Sequence, residues 1–507
     1  MHTNNRSPRV LIITPEVTYL PDRMGSLANQ LTAKAGGLAD VSAALIQALA
    51  DQGADVHLAL PDYRSIFQDK LAPFLKKELH YLREVMPDDR IHLAQDRAFY
   101  YLNRVYSSYG GENMKLAITF QREVINNILP WVRPDLIHCN DWMTGLIPAM
   151  ARRLNIPCLF TIHNIHTVKA LLSQIEDRGI DAAYFWHHLY YDHPAPEYEH
   201  ARETIPVDFL VSGVFAAHFV NTVSPTFLQE IVQGRHLFIE EPLRRELTHK
   251  MEAGCAVGIL NAPDPSFNPE QDQKLETLYS PADHAQGKQT NKQFLQHTLG
   301  LIEDQSAPLF FWPSRLDPVQ KGCGLLSHIL YSMISTWWNQ NLQIVFVANG
   351  DYQPVFRDIV AFHGFHERVA VCDFEERLEH LGYAASDFIL MPSKFEPCGL
   401  PQMIAPMYGS LPVAFDTGGI HDTISHLDIQ TDTGNGFLFE FFDPEGLFWA
   451  VSQAMDFYAQ PQAVKSRQIT RIMQESRSRF NHGVTAGEYI DLYEKMLQRP
   501  LIQRKPG

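Results

Sequence analysis

Short, uninterrupted apolar runs recur along the whole chain and constrain its fold more than any other feature. Each run ends in polar or glycine-rich residues and is followed by a segment long enough for a helix, such as 38–52 and 399–408. Continuous apolar runs are typical of parallel strands buried on both faces. We predict strands at 10–14, 56–60, 116–120, 136–138, 158–162, 218–223, 309–312, 343–348, 369–372, 388–391 and 411–415. This alternation predicts an α/β protein with doubly wound parallel sheets.

The series of runs restarts near the middle of the chain. The 507 residues are enough for two or three domains, at roughly 100–200 residues each. The stretch 264–288 is polar, contains proline and lacks apolar periodicity, so we interpret it as a linker. Two α/β domains of similar size would follow, with ligands bound beyond the carboxyl ends of their strands. The alternative is one large domain with an internal excursion.

Charge and cysteine content exclude several classes of protein. With 42 Lys and Arg against 58 Asp and Glu, the net charge is −16, whereas a general nucleic-acid binder needs a basic footprint. We expect no membrane span and no secretory leader, because no apolar run is long enough for either. The six cysteines are scattered, which is typical of a reduced cytoplasm.

Adjacent glycines at a helix start mark a first candidate site. The first predicted strand is followed by a polar loop and then by Lys34, Gly36 and Gly37 at the start of a helix. Glycine lets backbone N–H groups approach an anion closely, and the helix dipole favours negative charge there. A plain strand-to-helix turn is the alternative.

Polar side chains also follow two later strands of the first half. Asp141 comes after one strand, and His163 and Asn164 come after the next. Such groups can hydrogen-bond sugar hydroxyls or a reacting phosphate oxygen. His163 and His166 lack the further ligand spacing that a metal site needs. The aromatic segment 186–193 could be a sugar platform or a packed surface loop.

The second half carries a matching set of residues at predicted strand ends. Arg315 and Lys321 lie six positions apart, and such cations suit a diphosphate; solvated surface is the alternative. A carboxylate, Glu396, precedes a glycine-containing helix start, and a second helix start with two glycines follows about twenty residues later. Two such helix starts at successive strands favour an anion cradle. We interpret Cys398 as a small buried thiol rather than a nucleophile.

The ordered motifs KAGGLADV, HCNDW, TIHN, GILN, GKQTNK, SRLDPVQKG, PSKFEPCGL and DTGG resemble those of bacterial glycogen synthases and plant starch synthases. The resemblance covers the chain from about Val10 to its end. It implies the GT-B fold, in which two Rossmann-like domains face each other across a deep cleft. It places an acceptor-side domain at 1–264, a nucleotide-sugar domain at 265–484 and a helix at 485–507 that crosses back to the first domain.

The resemblance also implies a reaction. Such enzymes transfer glucose from ADP-glucose, or in some members UDP-glucose, to the non-reducing 4-OH of an α-1,4-glucan. The anomeric configuration is retained, and neither a metal nor another cofactor is required. The expected partners are therefore ADP-glucose and the glucan, with no nucleic acid and no membrane. The resemblance does not indicate an oligomeric state.

Motif matching transfers roles to individual positions. The catalytic residues implied are Arg315, Lys321, Glu396, His163 and Asp141. The substrate-binding residues implied are Lys34, Gly36, Gly37, Asn164, Phe374, Cys398, Gly399, Leu400, Thr417 and Gly418. The two cations would bind the donor diphosphate, Glu396 would hold the glucose hydroxyls, and Phe374 would replace the usual tyrosine that stacks on adenine.

Some positions depart from the family pattern. Pro401 replaces a usual threonine, Asp416 replaces a frequent basic residue, and the loop between Glu16 and Lys34 is longer than in the short forms. These departures leave two alternatives open. One is a related GT-B transferase that uses UDP-glucose or a small acceptor. The other is a catalytically silent nucleotide-sugar-binding protein, against which the intact Arg315, Lys321 and Glu396 argue.

Overall fold

A computed structural model describes residues 6–21, 24, 28, 31–67, 90–107 and 110–502. The chain forms two compact units: unit 1 comprises Met1–Asn261 and His482–Gly507, and unit 2 comprises Ala262–Asn481. We predicted boundaries after residues 264 and 484. The units of the structure change a few residues earlier in the chain, after Asn261 and after Asn481. Part of the long loop between Glu16 and Lys34, including residues 22–23, 25–27 and 29–30, lies outside the described residues.

Unit 1 is built on a parallel sheet. The strands of unit 1 are β1 (Arg9–Ile13), β2 (Asp55–Pro61), β3 (Ile91–Ala94), β4 (Leu136–Asn140), β5 (Cys158–Ile162), β6 (Lys169–Ala170), β7 (Val207–Asp208), β8 (Phe219–Thr222) and β9 (Ala256–Gly258). Strands β6 and β7 form a separate antiparallel ribbon. The seven-stranded sheet has the order β3-β2-β1-β4-β5-β8-β9. Strands β1, β4 and β5 are therefore neighbours, and their carboxyl ends lie at one edge.

Helices of unit 1 alternate with these strands, as expected of a doubly wound fold. They are α1 (Gly37–Asp51), α2 (Arg97–Tyr100), α3 (Gly110–Glu123), α4 (Leu129–Val132), α5 (Ile147–Leu154), α6 (Leu172–Glu176), α7 (Tyr198–Thr204), α8 (Phe209–Ala216), α9 (Pro225–Val232) and α10 (Glu241–Glu252). A π-helical turn at Val124–Ile128 joins α3 to α4.

Unit 2 repeats this plan with its own sheet. The strands are β10 (Leu309–Trp312), β11 (Gln343–Val347), β12 (Val369–Cys372), β13 (Phe388–Met391), β14 (Leu411–Phe415) and β15 (Phe437–Phe439). They form a six-stranded parallel sheet in the order β12-β11-β10-β13-β14-β15. Phe310 and Trp312 of β10 belong to one apolar core and Leu309 and Phe311 to another, because successive side chains point to opposite faces.

Eight further helices cover this second sheet. They are α11 (His284–Leu299), α12 (Cys323–Thr336), α13 (Gln353–His363), α14 (Glu376–Ala385), α15 (Pro401–Met407), α16 (Gly418–Thr423), α17 (Pro444–Tyr458) and α18 (Gln462–Arg479). Parallel sheets with helices in each unit agree with the fold class that the sequence predicts. No helix in the described ranges is both long and apolar enough to cross a bilayer.

The last helix, α19 (His482–Leu497), belongs to unit 1 although it follows unit 2 in the chain. It packs against α1. The Tyr493 hydroxyl lies 2.7 Å from His138 Nδ1, and Asn221 Nδ2 donates to the Tyr489 hydroxyl at 2.9 Å. Both tyrosines are buried, so this helix completes the core of unit 1.

Three predictions about local structure are wrong. Residues 116–120 lie within α3 rather than in a strand. The stretch 264–288 is not a linker, because Leu275 and Tyr279 are buried in a core of unit 2. The motif GKQTNK lies inside α11 instead of preceding a helix. The strands not predicted are all short: β3, β6, β7, β9 and β15.

Candidate active site

A buried carboxylate anchors the glycine loop, which we define as residues 34–37, through hydrogen bonds to its backbone. Glu16 follows β1 and is 2% exposed. Its Oε2 accepts the N–H of Ala35 at 2.7 Å and that of Gly36 at 2.9 Å. Its Oε1 accepts the Tyr106 hydroxyl at 3.0 Å. The start of α1 is thus fixed by a side chain from the end of β1.

Among the residues that the structure describes, none packs against the glycines of the glycine loop from the side opposite Glu16. Residues 34–37 are exposed, and a Cβ added at Gly36 or Gly37 would meet nothing within 4 Å. Lys34 Nζ pairs with Asp40 Oδ2 at 2.8 Å. The Gly36 N–H donates to Glu16, and α1 begins at the next residue, so the first N–H group within the helix is that of Gly37. The roles of Lys34, Gly36 and Gly37 toward a ligand remain predictions.

Asp141 organises the adjacent strand ends. It follows β4, is 2% exposed and has φ 58° and ψ 178°, a backbone conformation essentially reserved for glycine. Its Oδ1 accepts the N–H of His163 at 2.7 Å and of Asn164 at 3.3 Å. Its Oδ2 accepts Asn164 Nδ2 at 2.8 Å. Strain of this kind is concentrated at functional sites.

Burial shifts the pKa values of this group. Burial raises the pKa of Asp141 to about 7, with the amides of His163 and Asn164 opposing it and the charge of Glu16 reinforcing it. Burial lowers the pKa of His163 to about 4. His163 Nε2 lies 3.0 Å from Asn140 Oδ1, so the neutral imidazole is held in a fixed orientation. The structure therefore brings together Asp141, His163 and Asn164, with Glu16 nearby.

Among the other polar residues of the first half, His166 joins this network through its backbone, since its N–H donates to Asn164 Oδ1 at 2.9 Å. His166 is exposed and its ring lies 5.2 Å from that of Trp142. In the aromatic segment 186–193, Trp186 is half-buried and packs against Tyr198, with ring centroids 5.9 Å apart. This packing favours the loop interpretation of the segment.

In unit 2, Lys321 and Glu396 form a buried ion pair. Lys321 Nζ lies 2.5 Å from Glu396 Oε2, and the two residues are 9% and 6% exposed. Lys321 follows β10 and Glu396 follows β13, which are neighbours in the sheet. Because the pair is buried from solvent, this charge-assisted hydrogen bond holds the Lys321 ammonium in one position. Sequence analysis predicted both residues but not their pairing.

Backbone contacts lock the two loops that carry this pair. Lys394 N–H donates to Gln320 O at 2.8 Å, and Gln320 Nε2 donates to Phe395 O at 3.3 Å. Gly322 has φ +71°, and an added Cβ would lie 1.9 Å from Pro392 O. Only glycine fits there, at the residue directly after Lys321.

A second layer of tight turns follows Glu396. Gly419 N–H donates to Glu396 O at 2.9 Å, and a Cβ at Gly419 would lie 2.0 Å from Cys398 O. The start of α16 is therefore pressed against the backbone of the predicted PSKFEPCGL motif. The predicted binding residues brought together at these two helix starts are Cys398, Gly399, Leu400, Thr417 and Gly418. Cys398 is 5% exposed, in agreement with the buried-thiol interpretation.

A cavity of unit 2 lies where β10, β11 and β12 end. Its volume is about 450 Å³, and its lining includes Arg315, Asp317, Asn349 and Phe374. Arg315 is exposed, and the Phe374 ring is 52% exposed while its N–H donates to Asn349 Oδ1 at 3.0 Å. Burial raises the pKa of Asp317, but the amides of Gln320 and Val319 and the nearby cations outweigh it and lower the pKa. The cavity presents one cation and one aromatic face.

Sequence reasoning missed Glu16 and Tyr106 as members of the site. Glu16 directly follows β1, so the strand-end rule that selected Asp141 would also have selected it. Tyr106 lies in a polar stretch of no recognisable pattern, and nothing in the sequence pointed to it. Over the ranges that the structure describes, no three His, Cys, Asp or Glu side chains are grouped to hold a metal ion.

Comparisons with known proteins agree with this arrangement. Residues 9–244 match the family model of the starch synthase catalytic domain, and residues 307–456 match glycosyl transferases group 1. The glycogen synthase of Geobacillus thermodenitrificans is 31% identical, over 92% of this chain and 96% of that one. That of Bacillus subtilis is 32% identical, over 91% and 95%.

Solved structures give the same result. The catalytic domain of starch synthase IV from Arabidopsis thaliana, bound to ADP and acarbose, has a TM-score of 0.77 at 26% identity and covers 97% of this chain and 100% of that one. Sucrose-phosphate synthase from Thermosynechococcus elongatus, with a TM-score of 0.56 at 17% identity and coverage of 97% and 99%, shares the fold. By its sequence and its two parallel-sheet units, the chain belongs to the glycogen synthase and starch synthase family of GT-B hexosyltransferases.

Proposed function

We propose that this chain transfers glucose from ADP-glucose to the non-reducing 4-OH of an α-1,4-glucan with retention of configuration. The observation that carries the proposal is the buried Lys321–Glu396 pair after β10 and β13, together with the cavity that Arg315 lines at the end of β10. The Arabidopsis starch synthase is described as bound to ADP and acarbose, which supports an adenine nucleotide and a glucan as the two substrates.

The two cations suit the departure of a diphosphate. Breaking the anomeric C–O bond leaves negative charge on the leaving group and positive charge on the sugar ring. Fixed cations then stabilise the transition state more than the ground state, because the charge develops during the reaction. In our proposal Lys321, held by Glu396, and Arg315 receive that charge, while Thr417 and Gly418 contact the distal phosphate. Phe374 stacks on the adenine.

The carboxylates argue for front-face transfer. A double displacement needs one carboxylate as nucleophile and a second about 5–5.5 Å from it. Glu396 is buried and its Oε2 is paired with Lys321, which makes it a poor nucleophile. We propose that its other oxygen accepts glucose hydroxyls, beside Cys398, Gly399 and Leu400. We propose that the departing phosphate oxygen takes the proton of the acceptor hydroxyl.

The residues at the strand ends of unit 1 complete the proposal. We assign Asp141 and His163 to the anomeric centre and the acceptor hydroxyl, and Asn164 to the sugar. The neutral, oriented imidazole of His163 can hydrogen-bond a hydroxyl without adding charge. Lys34, Gly36 and Gly37 are assigned to the phosphates and the glucose. These assignments rest on the family resemblance together with the geometry of each group.

The test is transfer of labelled glucose from ADP-glucose, with and without glycogen, with UDP-glucose run in parallel. We expect extension of the polymer, faster with ADP-glucose. Arg315→Ala and Lys321→Ala should each reduce kcat/KM by about a hundredfold or more. Arg467→Ala removes an exposed cation of the same unit and should be silent. Near-normal transfer by both site variants would contradict the assignment.

The same assay distinguishes the alternatives. Transfer only to a small acceptor indicates a related GT-B transferase, and binding without turnover indicates a silent nucleotide-sugar-binding protein. We expect activity to survive EDTA, since the two cations perform the role that a metal would otherwise have. Loss of activity that a divalent ion restores would overturn the metal-free mechanism.

A further inference from the structure

We propose that Glu16 is a positioning residue for glucosyl transfer, which fixes the glycine loop and sets the charge environment of Asp141. The inference rests on the proposed function, because it concerns the same reaction. Neither role follows from a motif. Both follow from where the carboxylate of Glu16 lies at the end of β1.

The first part of the argument is the geometry of the glycine loop. The Glu16 carboxylate uses one oxygen for two consecutive amides, at 2.7 and 2.9 Å, and the other for Tyr106 at 3.0 Å. Above the loop there is open space at Gly36 and Gly37. The two hydrogen bonds from Ala35 and Gly36 therefore make Glu16 the side chain that holds these residues at the start of α1.

Neighbouring backbone strengthens this attachment. Val17 and Ala33 pair as an antiparallel bridge, with N–H···O distances of 2.9 and 2.8 Å. The bridge brings the chain back toward Glu16 just before the glycine loop. Lys34 is thereby placed beside Asp40, 2.8 Å away. Loss of the Glu16 carboxylate would free the segment that carries the Lys34 ammonium.

The second part is the charge of Glu16. Ile13 of β1 pairs in register with Cys139 of β4, so Glu16 and Asp141 lie just beyond the ends of two neighbouring parallel strands. Burial raises the pKa of Glu16, while the amides of Ala35 and Gly36 and the Tyr106 hydroxyl lower it and Asp40 raises it. The charge of Glu16 in turn contributes to the raised pKa of Asp141. The other titratable groups facing this pair are Tyr63 and Tyr106, both with pKa values raised by burial and by Glu16, and the neutral His163.

Two variants separate anchoring from charge. Glu16→Gln keeps an oxygen for the two amides and an NH₂ group that can donate to the Tyr106 oxygen, but removes the charge. Glu16→Ala removes both. The matched control is Glu230→Gln, because Glu230 is also a buried glutamate of unit 1 and its carboxylate pairs with His236.

The first readout does not require activity. Hydrogen exchange of peptides spanning residues 31–38 should be faster in Glu16→Ala and close to wild type in Glu16→Gln and Glu230→Gln. Unchanged exchange in Glu16→Ala would overturn the anchoring role, whether or not the protein transfers glucose. A wild type that fails to transfer glucose would instead contradict the proposed function and leave the exchange result intact.

The second readout is kinetic. Glu16→Ala should raise the KM for ADP-glucose by about tenfold, since the amides of Ala35 and Gly36 lose their acceptor and the glycine loop loses its anchor. Glu16→Gln should keep a KM near that of the wild type. Removing the negative charge lowers the pKa of Asp141, so the limb of the pH–kcat/KM profile that Asp141 governs should move toward acid. An unmoved limb in Glu16→Gln, matching Glu230→Gln, would overturn the electrostatic role.

Discussion

Asp141 concentrates three costs in one residue: a positive φ, burial and an ionisable group. Each is offset by the hydrogen bonds from His163 and Asn164, which join the ends of β4 and β5. A strained and buried carboxylate persists only where the surrounding structure holds it. The same bonds that hold Asp141 also orient the side chains next to it, so positioning and strain are two aspects of one arrangement.

The pH dependence of stability tests this view of Asp141. Its pKa rises from an ordinary value of 3.8 to about 7 in the folded protein. The folded state therefore keeps the proton in a range where the unfolded chain has released it, and stability falls as the pH rises through that range. Asp141→Asn cannot ionise, so its melting temperature should fall less than that of the wild type between about pH 4 and about pH 7. Parallel curves for the two proteins would contradict the raised pKa.

At the scale of elements, the loops after β10 and β13 depend on one glycine. Gly322 occupies the left-handed region and faces Pro392 O. Gly322→Ala places a Cβ 1.9 Å from that oxygen, so the loops must separate and the Lys321–Glu396 pair must lengthen. We expect kcat/KM to fall by about tenfold or more with little change in the circular dichroism spectrum.

Gly324 provides the control for that experiment. It lies two residues further along, in α12, where a Cβ would have only the Tyr352 hydroxyl as a neighbour, at 4.0 Å. Gly324→Ala should keep full activity, because alanine also has the higher helix propensity. Equal losses in both variants would show that the close approach at Gly322 is not what matters.

A lysine of helix α11 donates hydrogen bonds to backbone carbonyls at the carboxyl ends of α14 and α15. Lys288 Nζ donates to the carbonyls of Ala384, Ser386 and Tyr408 at 2.7–3.0 Å. These oxygens lie at the ends of α14 and α15, where helices leave carbonyls without partners. An ammonium has three hydrogens to donate, so one side chain satisfies all three carbonyls.

Replacing this lysine should therefore be costly. Lys288→Met removes the ammonium from three buried carbonyls, of which Tyr408 O keeps the Tyr279 hydroxyl at 2.9 Å. We expect the free energy of unfolding to fall by roughly 2–5 kcal/mol. Urea denaturation followed by fluorescence measures the loss. Lys465→Met is the comparison, because Lys465 Nζ donates to a single carbonyl, Tyr458 O. A loss at Lys288 no larger than at Lys465 would be inconsistent with this role.

Most strands of the two sheets could be predicted because they read as continuous apolar runs, whereas the short strands β3, β9 and β15 were missed. The same reasoning fails for 116–120, since a buried helix segment also reads as a short apolar run. It fails for 264–288 because only a small number of side chains attach that segment to unit 2, too few to give it an apolar pattern in the sequence. Asp272 accepts from Tyr408 at 2.6 Å and lies 2.7 Å from His380, and such a contact across the chain leaves no local pattern.

The site residues divide in the same way. Arg315, Lys321, Glu396 and Asp141 follow apolar runs, so the strand-end rule selects them from the sequence. Their pairings depend on which strands are neighbours, and strand order is not visible in one sequence. The hydrogen bonds between Glu16 and the glycine loop could not be predicted either, because the two lie nearly twenty residues apart in the sequence and only the fold brings them together.

At the scale of the whole molecule, unit 1 is discontinuous in sequence. The chain leaves it at Asn261 and returns at His482, where α19 supplies side chains that are buried in its core. Tyr493 reaches His138, which lies on β4 three residues before Asp141. Burial lowers the pKa of His138 to about 3, so a neutral imidazole links the end of the chain to the strand that carries Asp141.

Truncation of the chain tests whether α19 is an integral part of unit 1. Ending the chain after Asn481 removes Tyr489, Ile490, Leu492 and Tyr493 from the core. Each buried apolar side chain contributes about 1.5–3 kcal/mol, and net stabilities are only about 5–15 kcal/mol. We therefore expect unit 1 to lose its cooperative melting transition, while unit 2, which keeps its whole chain, retains its own.

Scanning calorimetry and limited proteolysis measure this outcome. Protease should cut first within residues 6–261 of the truncated protein and spare residues 262–481. Ending the chain after Ile502 keeps α19 and the buried Leu501, so it should melt like the wild type. Loss of both transitions in the shorter form would mean that unit 2 depends on unit 1 to fold. Retention of both would mean that α19 contributes little to the core of unit 1.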